Sequence, residues 1–253
     1  MQHEHGTSAL RQAVIGTART LVTRCPTRGT SGNVSARCEG GFLITPSGRP
    51  YESLTLEDIV FMDMDGGYHG SVLPSSEWRM HLDIYATYPD AGAVVHCHSP
   101  RATALACLRR PIPPFHYMIA IAGGDYIACS AYATFGTRAL SDAMLHALGP
   151  RRACLLANHG QIAYDRDLPK ALALAEGVEE LADQYLSALS GGEPVLLSAE
   201  EIDLNIRKFK TMASSRANST RTLAMPLKCR SNAPEAFWQY RNLRDGSAHA
   251  AWN

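Results

Sequence analysis

Hydrophobic residues are arranged in two ways along this 253-residue chain. In some segments they recur every three or four positions, in others they form short runs, and the two kinds of segment are interleaved. Apolar residues that recur every three or four positions predict amphipathic helices, over residues 7–23, 74–89, 99–108, 168–189 and 198–212. Short apolar or β-branched runs that end in Gly, Pro or Asp-Gly predict strands, within residues 28–37, 41–48, 58–66 and 93–98 and, as two strands joined by a tight turn, 152–165. In the second helix, Ser75 or Ser76 is expected at the N-cap and Glu77 in the first turn.

The regular pattern ends near residue 212, and the composition changes there. Seven basic residues lie within residues 207–230, and no acidic residue lies between Asp203 and Glu235. We therefore predict one domain over residues 1–212 and a tail over residues 213–253. This tail is expected to be solvated, or to drape over the active site or an interface.

Composition and charge exclude several classes of protein. The 24 basic residues balance the 24 acidic ones, so the charge indicates neither a nucleic-acid partner nor an anionic membrane partner. No apolar run approaches the roughly 20 residues that span a bilayer, and the polar N-terminus predicts no signal peptide. The seven cysteines include no CxxC pair. An odd set of this kind predicts reduced thiols in a cytoplasmic protein.

Two histidines stand one residue apart in the β-branched run AVVHCHSP. Because successive side chains of a strand point to opposite faces, His96 and His98 are expected side by side, while Cys97 faces the other way. Such a pair is either part of a metal site or a pair of buried core histidines. The same spacing occurs at His3 and His5, but the polar surroundings there predict a disordered terminus.

A third histidine would complete the set of protein ligands that a catalytic zinc site commonly has. His159 is the candidate, since apolar residues precede it and Gly160 allows a sharp backbone turn after it. A turn histidine that binds no metal is the alternative. Solvated surface positions are predicted for three further histidines, His69, His146 and His249.

Glu77 and two groups of small residues are candidates for a substrate site. A carboxylate in the first turn of a helix usually interacts only with the helix dipole. The stretch PSSE also offers hydroxyl groups and free backbone N–H groups, an arrangement that binds anions. TSGN, at residues 30–33, is a second set able to bring N–H groups close to a phosphate. Each stretch taken alone is equally typical of capping or of an ordinary turn.

Seven short segments carry a resemblance to a known family. In chain order they are TSGNVS, LITPSG, PSSEWRMH, VVHCHSP, PPFHYMIA, YATFGTRALS and NHG. In order and spacing they resemble the class II aldolase/adducin family, over roughly residues 8–212. The resemblance implies a three-layer α/β/α fold with a central, mainly antiparallel sheet, and a homotetramer with active sites between subunits. It also implies a Zn²⁺ ion held by His96, His98 and His159, with Glu77 as a fourth ligand that yields to substrate.

The resemblance also implies roles for residues around the metal. Six residues are expected to hold the substrate phosphate: Gly32, Asn33, Ser47, Gly48, Ser75 and Ser76. Tyr117 is expected to reach in from a neighbouring subunit and to handle the proton on the hydroxyl group of the departing aldehyde. Glu77 is expected to protonate the enediolate carbon to give dihydroxyacetone phosphate, and partial burial is expected to raise the pKa of Glu77 for this step.

The chain departs from the family's pattern in its C-terminal helix, where Met212 stands at the position of a tyrosine. Phe135 and Phe209 are expected to be apolar walls of the same pocket. Methionine tolerates an apolar or sulfur-bearing tail better than a hydroxylated one. A 5-deoxy- or 5-methylthio-ribulose 1-phosphate therefore competes with L-fuculose 1-phosphate as the expected substrate. The enzyme is expected to favour these two sugars, or at least to accept them about as well as L-fuculose 1-phosphate.

Three other functions stay open within the resemblance. Pentulose-phosphate 4-epimerases of this pattern carry Asp where Glu77 stands, which favours cleavage over epimerisation. A methylthioribulose-phosphate dehydratase would use the same metal and glutamate on different carbons. An adducin-like binding module would have lost its metal ligands, whereas this chain has all three histidines and the glutamate.

Overall fold

The computed structural model describes residues 2–25 and 31–223, with side chains described for residues 8–25 and 31–212. Six helices lie in this part of the chain: α1 (Gln2–Arg24), α2 (Trp78–Thr87), α3 (Pro100–Cys107), α4 (Arg138–Leu148), α5 (Leu168–Gly191) and α6 (Ala199–Leu223). The same part holds seven strands: β1 (Asn33–Cys38), β2 (Gly41–Ile44), β3 (Val60–Asp63), β4 (Tyr68–His69), β5 (Ala93–Cys97), β6 (Ala153–Leu156) and β7 (Gly160–Asp165). Short 3₁₀ helices span Tyr51–Ser53, Leu56–Asp58 and Tyr117–Ala122.

The strands form one sheet in the order β4-β3-β2-β1-β5-β7-β6. Every neighbouring pair is antiparallel. On β5, His96 pairs with Asn33 of β1 on one side and with Ile162 of β7 on the other. The start of β1, the end of β5 and the start of β7 therefore lie side by side, along the edge of the sheet at which these three neighbouring strands begin or end. The residues that the sequence marks for chemistry lie at this edge.

Alternation along the strands gives the sheet two apolar faces. On one face, Val95 and its neighbours pack with residues of α1, α3 and α5. On the other face, Val94 and its neighbours pack with residues of α2 and α4. The molecule therefore has three layers, with helices on both sides of an antiparallel sheet, and the predicted α/β/α fold is confirmed.

Helix α2 begins later than the sequence predicts. Glu77 occupies its N-cap position with φ −104° and ψ 14°, and the helix starts at Trp78. The chain before it is paired elsewhere, since the N–H of Ser75 donates to the carbonyl oxygen of Thr45 at 3.1 Å. The prediction of Ser75 or Ser76 at the N-cap is wrong, because this tertiary hydrogen bond outweighs the local capping signal.

Helices α1 and α6 are longer than predicted. Helix α1 extends from Gln2 and takes in His3 and His5, so the prediction of a disordered terminus there is wrong. Adding a residue to an existing helix costs far less free energy than starting one, and polar residues can therefore extend a helix whose apolar stripe is already docked. Helix α6 runs on to Leu223.

Contacts divide the chain into two compact units, Met1–Ala213 and Ser214–Asn253. The predicted tail over residues 213–253 stays a prediction, because residues 224–253 lie outside the part of the chain that is described. None of the described helices is long and apolar enough to cross a lipid bilayer.

Candidate active site

Three imidazole rings and one carboxylate converge where β5 ends. The ring centroids of His96, His98 and His159 lie 4.7, 4.9 and 5.0 Å apart, and the Nε2 atoms of His96 and His98 are 3.2 Å apart. The Glu77 carboxylate joins them, with Oε2 3.2 Å from Nε2 of His96 and Oε1 3.1 Å from Nε2 of His159. One potential ligand atom of each residue thus lies within 4.8 Å of the others.

The strands and one glycine explain this convergence. His96 and His98 lie side by side, as strand alternation predicts, while Cys97 between them is buried in the core on the other face of the sheet. His159 lies in the turn that joins β6 to β7, just before Gly160. A Cβ atom at Gly160 would lie 2.5 Å from the carbonyl oxygen of Cys97. Only glycine therefore lets this turn approach β5 so closely, and the approach places His159 against His98.

Glu77 has an oxygen that lacks a donor. Its side chain is buried, with 8 % of the residue exposed, and Oε1 makes no hydrogen bond within the described residues, although Nε2 of His159 lies 3.1 Å from it. A buried carboxylate oxygen without a partner costs free energy, and a cation at this point would supply the missing partner. In a tetrahedral zinc site, neighbouring ligand atoms lie about 3.3 Å apart. The separations of 3.1 and 3.2 Å found here fit a divalent metal ion.

The backbone of β7 orients the His96 ring. Nδ1 of His96 lies 2.8 Å from the carbonyl oxygen of Gln161. Since a carbonyl oxygen only accepts, Nδ1 of His96 carries the hydrogen, and Nε2 presents its lone pair to the convergent group. The Gln161 side chain is fixed in turn, because its Nε2 donates to Oγ of Ser99 at 2.8 Å and to the carbonyl oxygen of Ala175 at 3.0 Å. Ligand histidines in metal sites are commonly held by a second hydrogen bond of this kind.

Burial and neighbouring charges shift the pKa values of these side chains. Burial lowers the pKa of His98 to about 4, and His96 and His159 act in the same direction. His98 is therefore neutral, which is the form that binds metals. Burial alone would raise the pKa of Glu77, but positive charge at the neighbouring His96 and His159 positions lowers it by more, so that this pKa lies well below its ordinary value. The expectation that burial raises the pKa of Glu77 is wrong for this reason.

A pocket of about 370 Å³ opens beside the convergent side chains. Every residue expected to hold a phosphate lines it: Gly32, Asn33, Ser47, Gly48, Ser75 and Ser76. Two backbone hydrogen bonds bring the serines together, from the N–H of Ser75 to Thr45 at 3.1 Å and from the N–H of Ser47 to Leu73 at 3.0 Å. Within the described residues the lining includes no lysine or arginine. An anion in this pocket therefore meets backbone dipoles and hydroxyl groups.

The residues expected around the tail of the substrate lie in two places. Phe135 lines the pocket. Tyr117, Phe209 and Met212 are not among the lining residues. Tyr117 is 49 % exposed, and its ring is parallel to that of Phe209 with centroids 6.5 Å apart. Met212 is 54 % exposed and lies three residues after Phe209, on the same side of α6. We call Tyr117, Phe209 and Met212 the outer face.

Several residues of the pocket have no role of their own assigned from the sequence, and Tyr132 and Asn158 are two of them. Asn158 precedes His159 and has a left-handed backbone with φ 55°, and its Oδ1 accepts from Nε of Arg109 at 2.9 Å. Asn158 belongs to the segment NHG and Tyr132 to YATFG. Both residues therefore lie in segments that carry the family resemblance, but other residues of these segments were assigned the functional roles.

Asn33 has a contact that its expected role did not include. Its side-chain Nδ2 donates to Oε2 of Glu77 at 3.0 Å, and its Oδ1 contacts Nε2 of His81. His81 is completely buried. The sequence signal for His81 is its spacing, since it follows Glu77 by four residues and lies about one helical turn from it.

Acid is expected to destabilise the fold through His81. Burial lowers the pKa of His81 from 6.5 to about 3, and His96 adds to the effect. Between these two values the unfolded chain binds a proton that the folded chain does not, so the free energy of unfolding decreases as the pH falls through this window. The loss from this group approaches roughly 1.4 kcal/mol per pH unit. Denaturant unfolding of the wild type and of His81→Gln from about pH 7 to about pH 4.5 measures it. The wild type should lose stability more steeply, and parallel curves would contradict the assignment of a neutral, buried His81.

Comparison with known proteins identifies the family. Residues 12–186 match the class II aldolase and adducin N-terminal domain, and the chain belongs to this family. It is 53 % identical to a 5-methylthioribulose-1-phosphate/5-deoxyribulose-1-phosphate aldolase of Rhodospirillum rubrum, over 80 % of this chain and 92 % of that one. It is 51 % identical to an L-fuculose phosphate aldolase of Escherichia coli O6:H1, over 80 % of this chain and 94 % of that one.

A solved structure gives the same answer. An L-fuculose 1-phosphate aldolase superposes on this chain with a TM-score of 0.78 and 43 % identity, over 80 % of this chain and 96 % of that one. The family match and these relatives identify the chain as a class II aldolase, and the resemblance drawn from its sequence is confirmed.

Proposed function

We propose that the chain is a zinc-dependent aldolase that cleaves a ketose 1-phosphate to dihydroxyacetone phosphate and an aldehyde. The observation that carries the proposal is the convergence of His96, His98, His159 and Glu77 beside a pocket lined by hydroxyl and backbone N–H groups. Three imidazoles and a carboxylate are a ligand set that suits zinc. The names of the relatives, which refer to ketose phosphates, agree with this reaction.

Each group of residues acts on a different part of the substrate. The residues around Ser47 and Ser75 orient the phosphate, and positioning is all that is needed there because no bond at phosphorus breaks. The histidines hold the metal ion, which when bound supplies the positive charge that stabilises an enediolate. In the condensation direction the ionised carboxylate of Glu77 removes a proton from the carbon next to the ketone. Cleavage runs the same transfer in reverse and returns the proton to that carbon.

We propose further that the enzyme is a homotetramer in which the outer face completes the pocket of a neighbouring subunit. Tyr117 and Phe209 lie outside the pocket formed by their own chain, with parallel rings. A cluster of exposed apolar side chains is typical of a contact surface. At a neighbour's pocket, the Tyr117 hydroxyl is available to take and return the proton on the aldehyde oxygen.

The proposed location is the cytoplasm. The six cysteines with described side chains form no disulfide, as expected in a reducing compartment. The proposed partner is a small sugar phosphate, and the balanced charge gives no support for a nucleic-acid or membrane partner.

The side chains near the tail of the substrate favour an apolar tail. Phe135 lines the pocket, and Met212 and Phe209 of a neighbour would close it. A hydroxyl group that is desolvated there without a partner costs about 1–3 kcal/mol. A methyl or methylthio tail gains roughly 1–2 kcal/mol from burial. We therefore expect kcat/KM for 5-methylthio- or 5-deoxy-ribulose 1-phosphate to exceed that for L-fuculose 1-phosphate by about tenfold to a few hundredfold.

An assay on these three ketose 1-phosphates tests the function and the preference together. Formation of dihydroxyacetone phosphate is measured, and the aldehyde is identified.

Met212→Tyr should shift the preference toward L-fuculose 1-phosphate. The matched control is Leu204→Tyr on the same helix, where the leucine is 50 % exposed. A wild-type preference for L-fuculose 1-phosphate would contradict the apolar assignment and would point to Asn158, a polar group of the same pocket.

A further inference from the structure

Two rows of polar side chains face each other between β1 and α2. Asn33 and Ser35 are two residues apart on β1, and therefore on one face of the strand. Glu77, His81 and Tyr85 follow one another at intervals of four residues at and along α2, and therefore share one side of the helix. All five are buried, on the face of the sheet that packs against α2 and α4.

These side chains form one continuous chain of hydrogen bonds. Nδ2 of Asn33 lies 3.0 Å from Oε2 of Glu77, and Oδ1 of Asn33 contacts Nε2 of His81. Nδ1 of His81 lies 2.6 Å from Oγ of Ser35, which lies 2.7 Å from the hydroxyl oxygen of Tyr85. Both ring nitrogens of His81 are thus paired inside the protein.

The chemistry of the groups fixes the direction of each bond. An ionised carboxylate only accepts, so Asn33 must present its NH₂ group to Glu77 and its carbonyl oxygen to His81. His81 therefore carries its hydrogen on Nε2. Because burial keeps the pKa of His81 at about 3, the ring is neutral, and its Nδ1 accepts from the hydroxyl group of Ser35. The hydroxyl group of Tyr85 then donates to the Ser35 oxygen.

We propose that His81 is a positioning residue that, through Asn33, gives the two oxygens of Glu77 different tasks. Oε2 is held by the amide. Oε1 makes no hydrogen bond within the described residues and lies 3.1 Å from Nε2 of His159, so it is the oxygen left for the metal ion and the moving proton. The part of this inference that concerns the proton rests on the proposed function. Without the Nε2 donor of His81, the Asn33 amide is free to turn, and a turned amide places a carbonyl oxygen against the carboxylate.

Two substitutions at position 81 separate positioning from packing. In His81→Gln the amide nitrogen stands near the former Nε2 and keeps the donor to Asn33. In His81→Asn the shorter amide reaches toward Ser35 and leaves Asn33 without its donor. His146→Asn is the control, since His146 is exposed on α4. Ser35→Ala is a gentler second variant, which removes the hydroxyl group that holds His81 in its tautomer.

Three measurements follow these variants: kcat and KM with the best ketose 1-phosphate, exchange of the dihydroxyacetone phosphate C–H with D₂O by NMR, and the Zn²⁺ dissociation constant by chelator competition. For His81→Asn we expect kcat and the exchange rate to fall about 10- to 100-fold, KM to stay within about threefold, and the Zn²⁺ dissociation constant to rise about tenfold. His81→Gln should recover most of each loss. Ser35→Ala should show the same pattern at about three- to tenfold.

Several outcomes would overturn the proposal. Wild-type values in His81→Asn would show that Asn33 needs no donor, and equal losses in both His81 variants would show a packing role only. If both fail to fold, an unchanged exchange rate and dissociation constant in Ser35→Ala overturn it. If the wild type cleaves none of the ketose 1-phosphates, the proposed function fails separately. The Zn²⁺ dissociation constants of the Gln and Asn variants then still decide whether Glu77 is held through His81.

Discussion

Replacing Glu77 by glutamine is expected to lower kcat on the order of a thousandfold while substrate affinity and much of the metal affinity remain. Glutamine has nearly the shape of glutamate, and its amide oxygen can still accept from Nδ2 of Asn33, which lies 3.0 Å from Oε2 in the wild type. The amide cannot take up and return a proton at neutral pH, so only the transfer to the enediolate carbon is removed. The three histidines are expected to keep the metal in place.

Steady-state kinetics and metal analysis of the purified variant test this result. Glu200→Gln, on the exposed start of α6, makes the same chemical change away from the pocket and should behave as the wild type. A near-normal kcat in Glu77→Gln would show that another group carries the proton. A complete loss of the metal would show that Glu77 acts mainly as a ligand.

Replacing His159 by alanine is expected to remove most of the bound metal and nearly all the activity while the protein stays folded. His159 lies in the turn between β6 and β7, and its side chain is 11 % exposed at the wall of the pocket. The truncation therefore opens no cavity in either apolar face of the sheet. A catalytic zinc site with three protein histidines does not tolerate the loss of one without a large fall in affinity.

Elemental analysis after dialysis, an activity assay and thermal unfolding measure the three parts of this expectation. His146→Ala is the control, because it removes an exposed imidazole from α4. Full activity with stoichiometric metal in His159→Ala would remove His159 from the ligand set. Unfolding of the variant would mean that the turn depends on the imidazole for its shape.

The pairing of His96 and His98 could be predicted from the sequence because strand alternation directs both to one side. For His159 the glycine after it marks only a turn, and its place beside the other two was implied by the family resemblance. The start of α2 could not be predicted, since it depends on the hydrogen bond from Ser75 to Thr45, a residue distant along the chain. The local signal consists of two serines before a helical pattern, and it is the same whether or not this hydrogen bond forms.

His81 shows a second limit of sequence reasoning. Its spacing from Glu77 is visible, but a histidine four residues from a glutamate is common on exposed helices. Only the packing of α2 against β1 reveals that Asn33 and Ser35 face it. Tyr117 shows a third limit, because its proposed role needs a second copy of the chain.

The four convergent side chains come from three separate places along the chain: the start of α2, the end of β5 and the turn before β7. An unfolded chain keeps only His96 and His98 close together, so a metal ion binds the folded form far better than the unfolded one. At a hundred times its dissociation constant, such a ligand adds about 2.7 kcal/mol to the free energy of unfolding. Scarcity of the metal is therefore expected to lower the abundance of the enzyme as well as its turnover, because unfolded molecules are degraded.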